Sequence, residues 1–179
     1  SHFGYLEQPN KWGYYHDRIV KPFQRISPKI FCLSDGIKNV YEKELLIEKS
    51  NLYVTPNGVN TSKFVTRDPK YPDRSLYLAK IDYRKRQSMF QSISSLYYAG
   101  NNADPNFNIN INYLGEWSKE HLYNNLTDYG NLVLLSDGEA HPLVCMEALA
   151  AGLGVVVCEY GAANLDTVSY THLTLPTRS

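Results

Sequence analysis

NLVLLSDGEAHPLVCMEALAAGLGVVVC, residues 131–158, reads as a strand, a loop, a helix and a second strand. NLVLL is a short, almost wholly apolar run, the mark of a strand covered on both faces. Pro142 fits the first helical position, where its missing N–H costs nothing. Gly152 closes the helix, and GVVVC, Gly154 to Cys158, is the next strand. Two buried strands joined through a helix are expected to lie parallel.

The unit repeats upstream. KIFCLS (Lys29 to Ser34) reads as a buried strand, and Ser34 or Asp35 caps a helix, DGIKNVYEKELL, with Ile37, Val40 and Tyr41 on one face. LYVT (Leu52 to Thr55) is a strand that ends in the turn Pro56-Asn57-Gly58. Thr66 to Arg74, with two prolines and five charges, reads as a loop, and SLYLAK as a strand. KRQSMFQSISSLYY carries Met89, Phe90, Ile93, Leu96 and Tyr97 at helical spacing. ININYLG (Ile109 to Gly115) reads as a strand and Trp117 to about Thr127 as a helix. The alternation predicts an α/β fold: a doubly wound, Rossmann-like parallel sheet. Ligands then bind at the carboxyl ends of the strands, in the loops after Leu135, Ala79 and Thr55.

Eighteen Lys and Arg balance eighteen Asp and Glu over 179 residues. That balance leaves no electrostatic footprint for nucleic acid or an anionic membrane. No apolar run approaches the roughly 18 residues that span a bilayer. The start, Ser1-His2-Phe3-Gly4, lacks the features of a signal peptide. The chain is therefore expected to be an interior piece of a longer cytoplasmic protein. Cys32, Cys145 and Cys158 are widely spaced in apolar runs and read as buried free thiols. Asn60-Thr61-Ser62 and Asn125-Leu126-Thr127 read as chance sequons. VSYTHLTLPTRS, Val168 to Ser179, resembles a translated sequencing adapter and is set aside, His172 with it.

The chemistry concentrates in SDGEAHPLVCMEALAAG, where Glu139 and Glu147 form an E-x7-E pair. The amides of Leu143, Val144 and Cys145 are expected to lack intrahelical acceptors, and a helix start after a parallel strand suits an anion such as a diphosphate. Glu147 shares a helix face with Leu143 and Ala151. A carboxylate on that apolar stripe needs a partner, either ribose hydroxyls or a structural Lys or Arg.

This segment resembles the signature of retaining GT-B glycosyltransferases of the group 1, family 4 type, E-G-F-x-L-x-x-x-E-A-x-A-x-G-x-P-V-V. LSDGIKN resembles that family's end of the N-terminal domain, VTPNGVNTSKF its VxPNGVD-x-x-x-F opening of the C-terminal domain, and LAKIDYRK its phosphate-binding GR-L-x-x-x-K. The match runs from about Ser27 to Asp166. It implies a division into residues 1–50, a remnant of the N-terminal, acceptor-side domain, and residues 51–167, a truncated donor-binding domain.

It also implies roles. Glu139 would hold the donor sugar and phosphate with Gly138 and the backbone from His141 through Pro142 and Leu143 to Val144. Glu147 would bind the ribose. Lys80 and Lys85 would neutralise the leaving diphosphate, which makes Glu139, Lys80 and Lys85 the catalytic set. Asn57 and Gly58 join the substrate-binding set through the PNG turn. The family needs no metal, and no paired DxD carboxylates are seen. The donor would be a nucleotide sugar and the acceptor a glycan, lipid or protein, with peripheral membrane association of the full-length enzyme and no nucleic acid.

Several positions depart from the family pattern. Ala79-Lys80 stands for Gly-Arg, and a lysine lacks arginine's bidentate fork. Arg86 stands for Gly, Ala140-His141 for Gly-Phe and Gly154 for Pro. The family usually fits a further strand and helix between Gly115 and Ser136. Without the acceptor elements this piece is expected to bind but not to turn over. The alternatives are a phosphorylase-like or epimerase-like GT-B protein, and a non-catalytic sugar-nucleotide-binding or scaffolding module. His2, His16 and Asp17 read as surface groups, and Tyr5, Trp12, Tyr14 and Tyr15 as packing residues.

Overall fold

The computed structural model describes residues 26, 29–43, 46–139, 141–158 and 165. The expectations for His2, Tyr5, Trp12, Tyr14, Tyr15, His16, Asp17, Ala140 and the segment 168–179 lie outside these residues.

Two parallel sheets are present among them. The first holds β1 (Ile30–Cys32) and β2 (Leu52–Val54), in register from Ile30 opposite Leu52 to Cys32 opposite Val54. Between them runs α1 (Asp35–Lys43). Ser34 is its cap: the Ser34 hydroxyl accepts from the Ile37 amide at 3.1 Å. Ile37 and Tyr41 pack with Cys32, Leu33, Ile47 and Leu52 in a separate small core. Leu52, placed by the sequence in the second domain, thus packs with the first sheet.

The second sheet is β3 (Tyr71–Leu78), β4 (Leu96–Ala99), β5 (Tyr129–Leu134) and β6 (Gly154–Val157), in the order β4-β3-β5-β6. Its helices are α2 (Lys119–Asn125) before β5 and α3 (Leu143–Ala150) between β5 and β6. Leu76, Tyr77 and Leu78 on β3, and Leu132, Val133 and Leu134 on β5, are all buried. Successive strand residues face opposite sides, so both faces of the sheet are covered, as the continuous apolar runs predict. The order reverses between β3 and β5, and a ligand crevice is expected at that end. No helix among the described residues is long and apolar enough to cross a membrane.

Four expectations fail locally. The helix over Lys85–Tyr98 is instead a short 3-10 turn, Gln87–Phe90, followed by β4. Met89 and Ile93, which fit the helical spacing, are exposed. Ser92, Ser94 and Ser95 compete with helical hydrogen bonding. Tyr98 gains a stacked partner, Tyr77, only as a strand residue, with ring centroids 6.2 Å apart. Residues 109–115 are not a strand. They run beside β4, with the Tyr98 amide donating to Asn112 O at 2.9 Å and the Leu114 amide to Tyr98 O at 2.8 Å. Asn112 interrupts the ladder in the left-handed region at φ 50, a conformation asparagine tolerates.

The loop over 66–74 is half wrong, because β3 already starts at Tyr71. Pro72 is tolerated because pairing with β4 begins only at Ser75. On the other side Gly130 lets β5 approach, since a side-chain carbon there would strike the Pro72 carbonyl. Finally, Cys158 is half-buried, not buried, while Cys32 and Cys145 are buried and all three thiols are free.

Candidate functional site

At the carboxyl ends of β3 and β4 lies a cleft of about 660 Å³. Its floor is the turn after each strand: Ala79 and Lys80 after β3, Gly100 and Asn101 after β4. Its two walls are the start of α3, with Leu143, Val144 and Glu147, and the approach to α2, from Glu116 to Lys119.

The floor is built by close backbone approach. Gly100 takes φ 140, and a side-chain carbon there would overlap the Ala79 carbonyl. The two strands stay paired past their ends: Ala79 donates to Ala99 O at 3.0 Å and Ile81 to Asn101 O at 2.9 Å. Gln87, fully buried, donates from Nε2 to Lys80 O at 2.9 Å. The Lys80 backbone is therefore held from two sides while its side chain is exposed.

The α3 wall is fastened to the loop after β3. Asp82 Oδ1 accepts from the amides of Arg84 and Lys85, both at 3.1 Å, which coils that loop. The Tyr77 hydroxyl donates to Lys85 O and accepts from the Leu135 amide, so one phenol ties the loops after β3 and β5 together. Burial pushes the Tyr77 pKa well up, so it stays a neutral phenol. Asp137 donates its amide to Arg84 O at 2.9 Å, and Arg86 Nη1 meets Asp137 Oδ1 at 2.8 Å. Lys85 Nζ is paired with Glu139 Oε1, and both side chains are about six-sevenths buried, at 13% and 15% exposure.

Helix α3 begins one residue later than expected. Pro142 is its cap, and the Pro142 carbonyl accepts from Cys145 at 3.1 Å and Met146 at 3.4 Å. The Cys145 amide is thus already used, which corrects the expectation that it is open. The amides of Leu143 and Val144 are the ones left at the helix start. Ahead of it His141 is buried. Its Nδ1 accepts from the Asn57 amide at 3.1 Å and its carbonyl from Asn57 Nδ2 at 3.0 Å. An accepting Nδ1 puts the ring proton on Nε2, which finds no hydrogen-bond partner among the described residues. Burial lowers the His141 pKa and keeps the ring neutral.

Glu147 is only 6% exposed, and Lys119 Nζ meets its Oε1 at 2.7 Å. The partner required by a carboxylate on an apolar stripe is therefore a lysine from the opposite wall. Ser118 starts α2 by accepting from the His121 amide at 3.1 Å, which fixes Lys119 in the first turn. Trp117 packs on Tyr129, and Asn101 Nδ2 reaches Glu116 Oε2 at 3.3 Å across the rim.

Of the residues singled out in the sequence, Lys80, Leu143, Val144 and Glu147 line the cleft. Lys85 and Glu139 form their own pair beside it, and Asn57 and His141 a second latch. Gly138, Pro142 and Gly58 are not among the lining residues, and Gly58 faces open space. The helix from Trp117 was expected and is present as α2, but its part in the cleft was missed. Its signal was Ser118, a capping residue three before His121, which would have set Lys119 on the first helical turn.

No protein-family model and no curated protein matches this sequence. Solved structures do match. Anabaena HepE in complex with UDP and glucose superposes with TM-score 0.72 at 12% identity, over 92% of this chain and 53% of that one. A mutant of S. aureus TarM, in complex with fondaparinux, alpha-GlcNAc-glycerol and UDP, gives 0.72 at 13% identity, over 93% and 37%. WaaG, a glycosyltransferase involved in lipopolysaccharide biosynthesis, gives 0.62 at 14%, over 82% and 50%. The fold is that of GT-B glycosyltransferases. The present chain spans about half of HepE and WaaG and just over a third of TarM. In GT-B terms its four-stranded sheet is a Rossmann-like unit with the cleft at the usual end of the strands.

Proposed function

We propose that this chain is the donor-binding part of a sugar-nucleotide-dependent glycosyltransferase of the retaining, group 1, family 4 kind. One observation carries the reading. The crevice at the strand ends combines an exposed cation, Lys80, the open amides of Leu143 and Val144, and a buried carboxylate, Glu147. An anion and a diol in one ligand answer all three, and a nucleoside diphosphate has both.

The diphosphate lies against the start of α3, where the amides and the helix dipole favour negative charge. Glu147 accepts from the ribose hydroxyls. When the bond between sugar and phosphate breaks, its electron pair leaves with the diphosphate. Lys80 and Lys85 stabilise that charge, in the place a metal would otherwise take. Glu139 releases Lys85 to the phosphate and turns to the sugar. Tyr77, Arg86 and Asn57 hold these loops in place before the donor arrives, so little reorganisation is needed at the moment of transfer. The acceptor, a glycan, lipid or protein, comes from the side of the N-terminal domain, and the parent enzyme works in the cytoplasm.

The test uses the full-length enzyme. Glu147→Gln is expected to raise the donor KM with a small effect on kcat, because ribose contacts do not change during transfer. Glu139→Gln is expected to lower kcat by roughly ten- to a hundredfold, the worth of a hydrogen bond to a charged group. Proton NMR of the product should show the donor's anomeric configuration kept. The reverse pattern for the two glutamates, or an inverted product, contradicts the reading.

A further inference from the structure

Lys119 occupies an unusual place. It is the first residue of α2, where the helix dipole disfavours a cation. Its stem lines the cleft, its ammonium is on the buried Glu147 carboxylate at 2.7 Å, and its side chain is 61% exposed. A side chain so accessible to water is held weakly, and leaving Glu147 costs it little. Glu147 is the opposite case: at 6% exposure it cannot be left without a donor. Any ligand that brings hydroxyl donors to Glu147 can take the place of Lys119, and any ligand that brings negative charge into the cleft can receive the ammonium.

We propose that Lys119 is an exchangeable counter-ion. In the structure its ammonium satisfies Glu147. When a nucleoside diphosphate enters, the ribose hydroxyls take over the carboxylate and the Lys119 ammonium moves to the diphosphate, on the side opposite Lys80. The binding site thus gains a further cation beside Lys80 and Lys85, contributed by α2. This inference rests on the nucleotide reading of the cleft. It makes Lys119 selective for the phosphorylated ligand: the exchange completes with a diphosphate, whereas a nucleoside offers the ammonium no new partner.

The experiment is calorimetric titration of the 179-residue chain with UDP and with uridine, for the unaltered protein, Lys119→Met and Lys119→Arg. Lys119→Met is expected to weaken UDP about fivefold, as for one partly exposed charge-assisted contact, and to leave uridine unchanged or slightly tighter, since its hydroxyls no longer compete with an ammonium. Lys119→Arg should restore UDP binding. Circular dichroism melts report folding, and loss of both ligands in Lys119→Met with its melt intact means a structural role and overturns the exchange. UDP affinity equal in Lys119→Met and the unaltered chain overturns it as well, with the nucleotide reading left standing. No UDP binding by the unaltered chain overturns the nucleotide reading and the exchange together.

Discussion

The two walls of the cleft are built differently. The α3 wall is prefabricated. The loop after β3 and the loop after β5 share Tyr77, the Arg86–Asp137 and Lys85–Glu139 pairs and the Asp137 amide, and Asn57 fixes His141 ahead of the helix. The α2 wall is anchored from behind, with Leu122 and Leu126 in the core and Trp117 on Tyr129, but it reaches across the cleft only through single side-chain contacts, Lys119 on Glu147 and Asn101 on Glu116. A rigid wall beside an adjustable one suits a ligand with a constant part and a variable part. The constant anion meets fixed amides, and the remainder meets side chains that can shift.

Four substitutions test that contrast, beginning with the floor both walls share. Gly100→Val must place a branched side chain at φ 140 against the Ala79 carbonyl. It should cost roughly 3 kcal/mol or more and abolish cooperative unfolding in a urea titration. A variant as stable as the parent would mean that the β3–β4 turn is not packed as described.

Tyr77→Phe removes the phenol that ties the two loops and leaves the Leu135 amide and the Lys85 carbonyl without it. The expected loss is about 1–3 kcal/mol in the same assay, with UDP affinity falling along with it. If stability dropped but UDP binding held, the prefabricated wall would not be what holds the anion.

His141 gives the comparison a pH signature. Its pKa in the folded protein lies below the ordinary histidine value because of burial. The unfolded chain therefore binds a proton that the folded one does not. Stability from this group is fully present above about pH 6.5 and is lost as pH falls through the lowered folded pKa. The urea midpoint should drop as pH falls below about 6.5, and His141→Phe should flatten that slope. An unchanged slope would assign the loss to other groups.

Asn101→Ala should be the mildest change. Its contact with Glu116 is exposed and 3.3 Å long, so stability should move by no more than about 0.5 kcal/mol. A large loss would show that the α2 wall is as firmly built as the other.

The same contrast governs what could be read in advance. β5, α3 and β6 are encoded by local signals that agree: a continuous apolar run, a proline, a terminal glycine and a second run. Glu147 stood out because a carboxylate on an apolar stripe breaks the pattern. β4 was hidden, because Phe90, Ile93 and Tyr97 fit a helical period while the deciding contact, Tyr98 on Tyr77, joins residues distant in the chain. The Tyr77 latch was equally invisible, since a tyrosine inside SLYLAK reads as one more apolar strand residue until its hydroxyl is seen between two loops. No local signal in the sequence marks Lys119. Its meaning comes only from a partner 28 positions away.

The most direct test of the central claim, that the crevice at the ends of β3 and β4 takes a nucleoside diphosphate, is a nitrogen-edited NMR titration of the isotope-labelled 179-residue chain with UDP. The shifted amides should cluster at Lys80, Gly100, Asn101, Leu143 and Val144. No shifts with millimolar UDP, or shifts gathered at the opposite end of the sheet around Lys70 to Arg74, would contradict it.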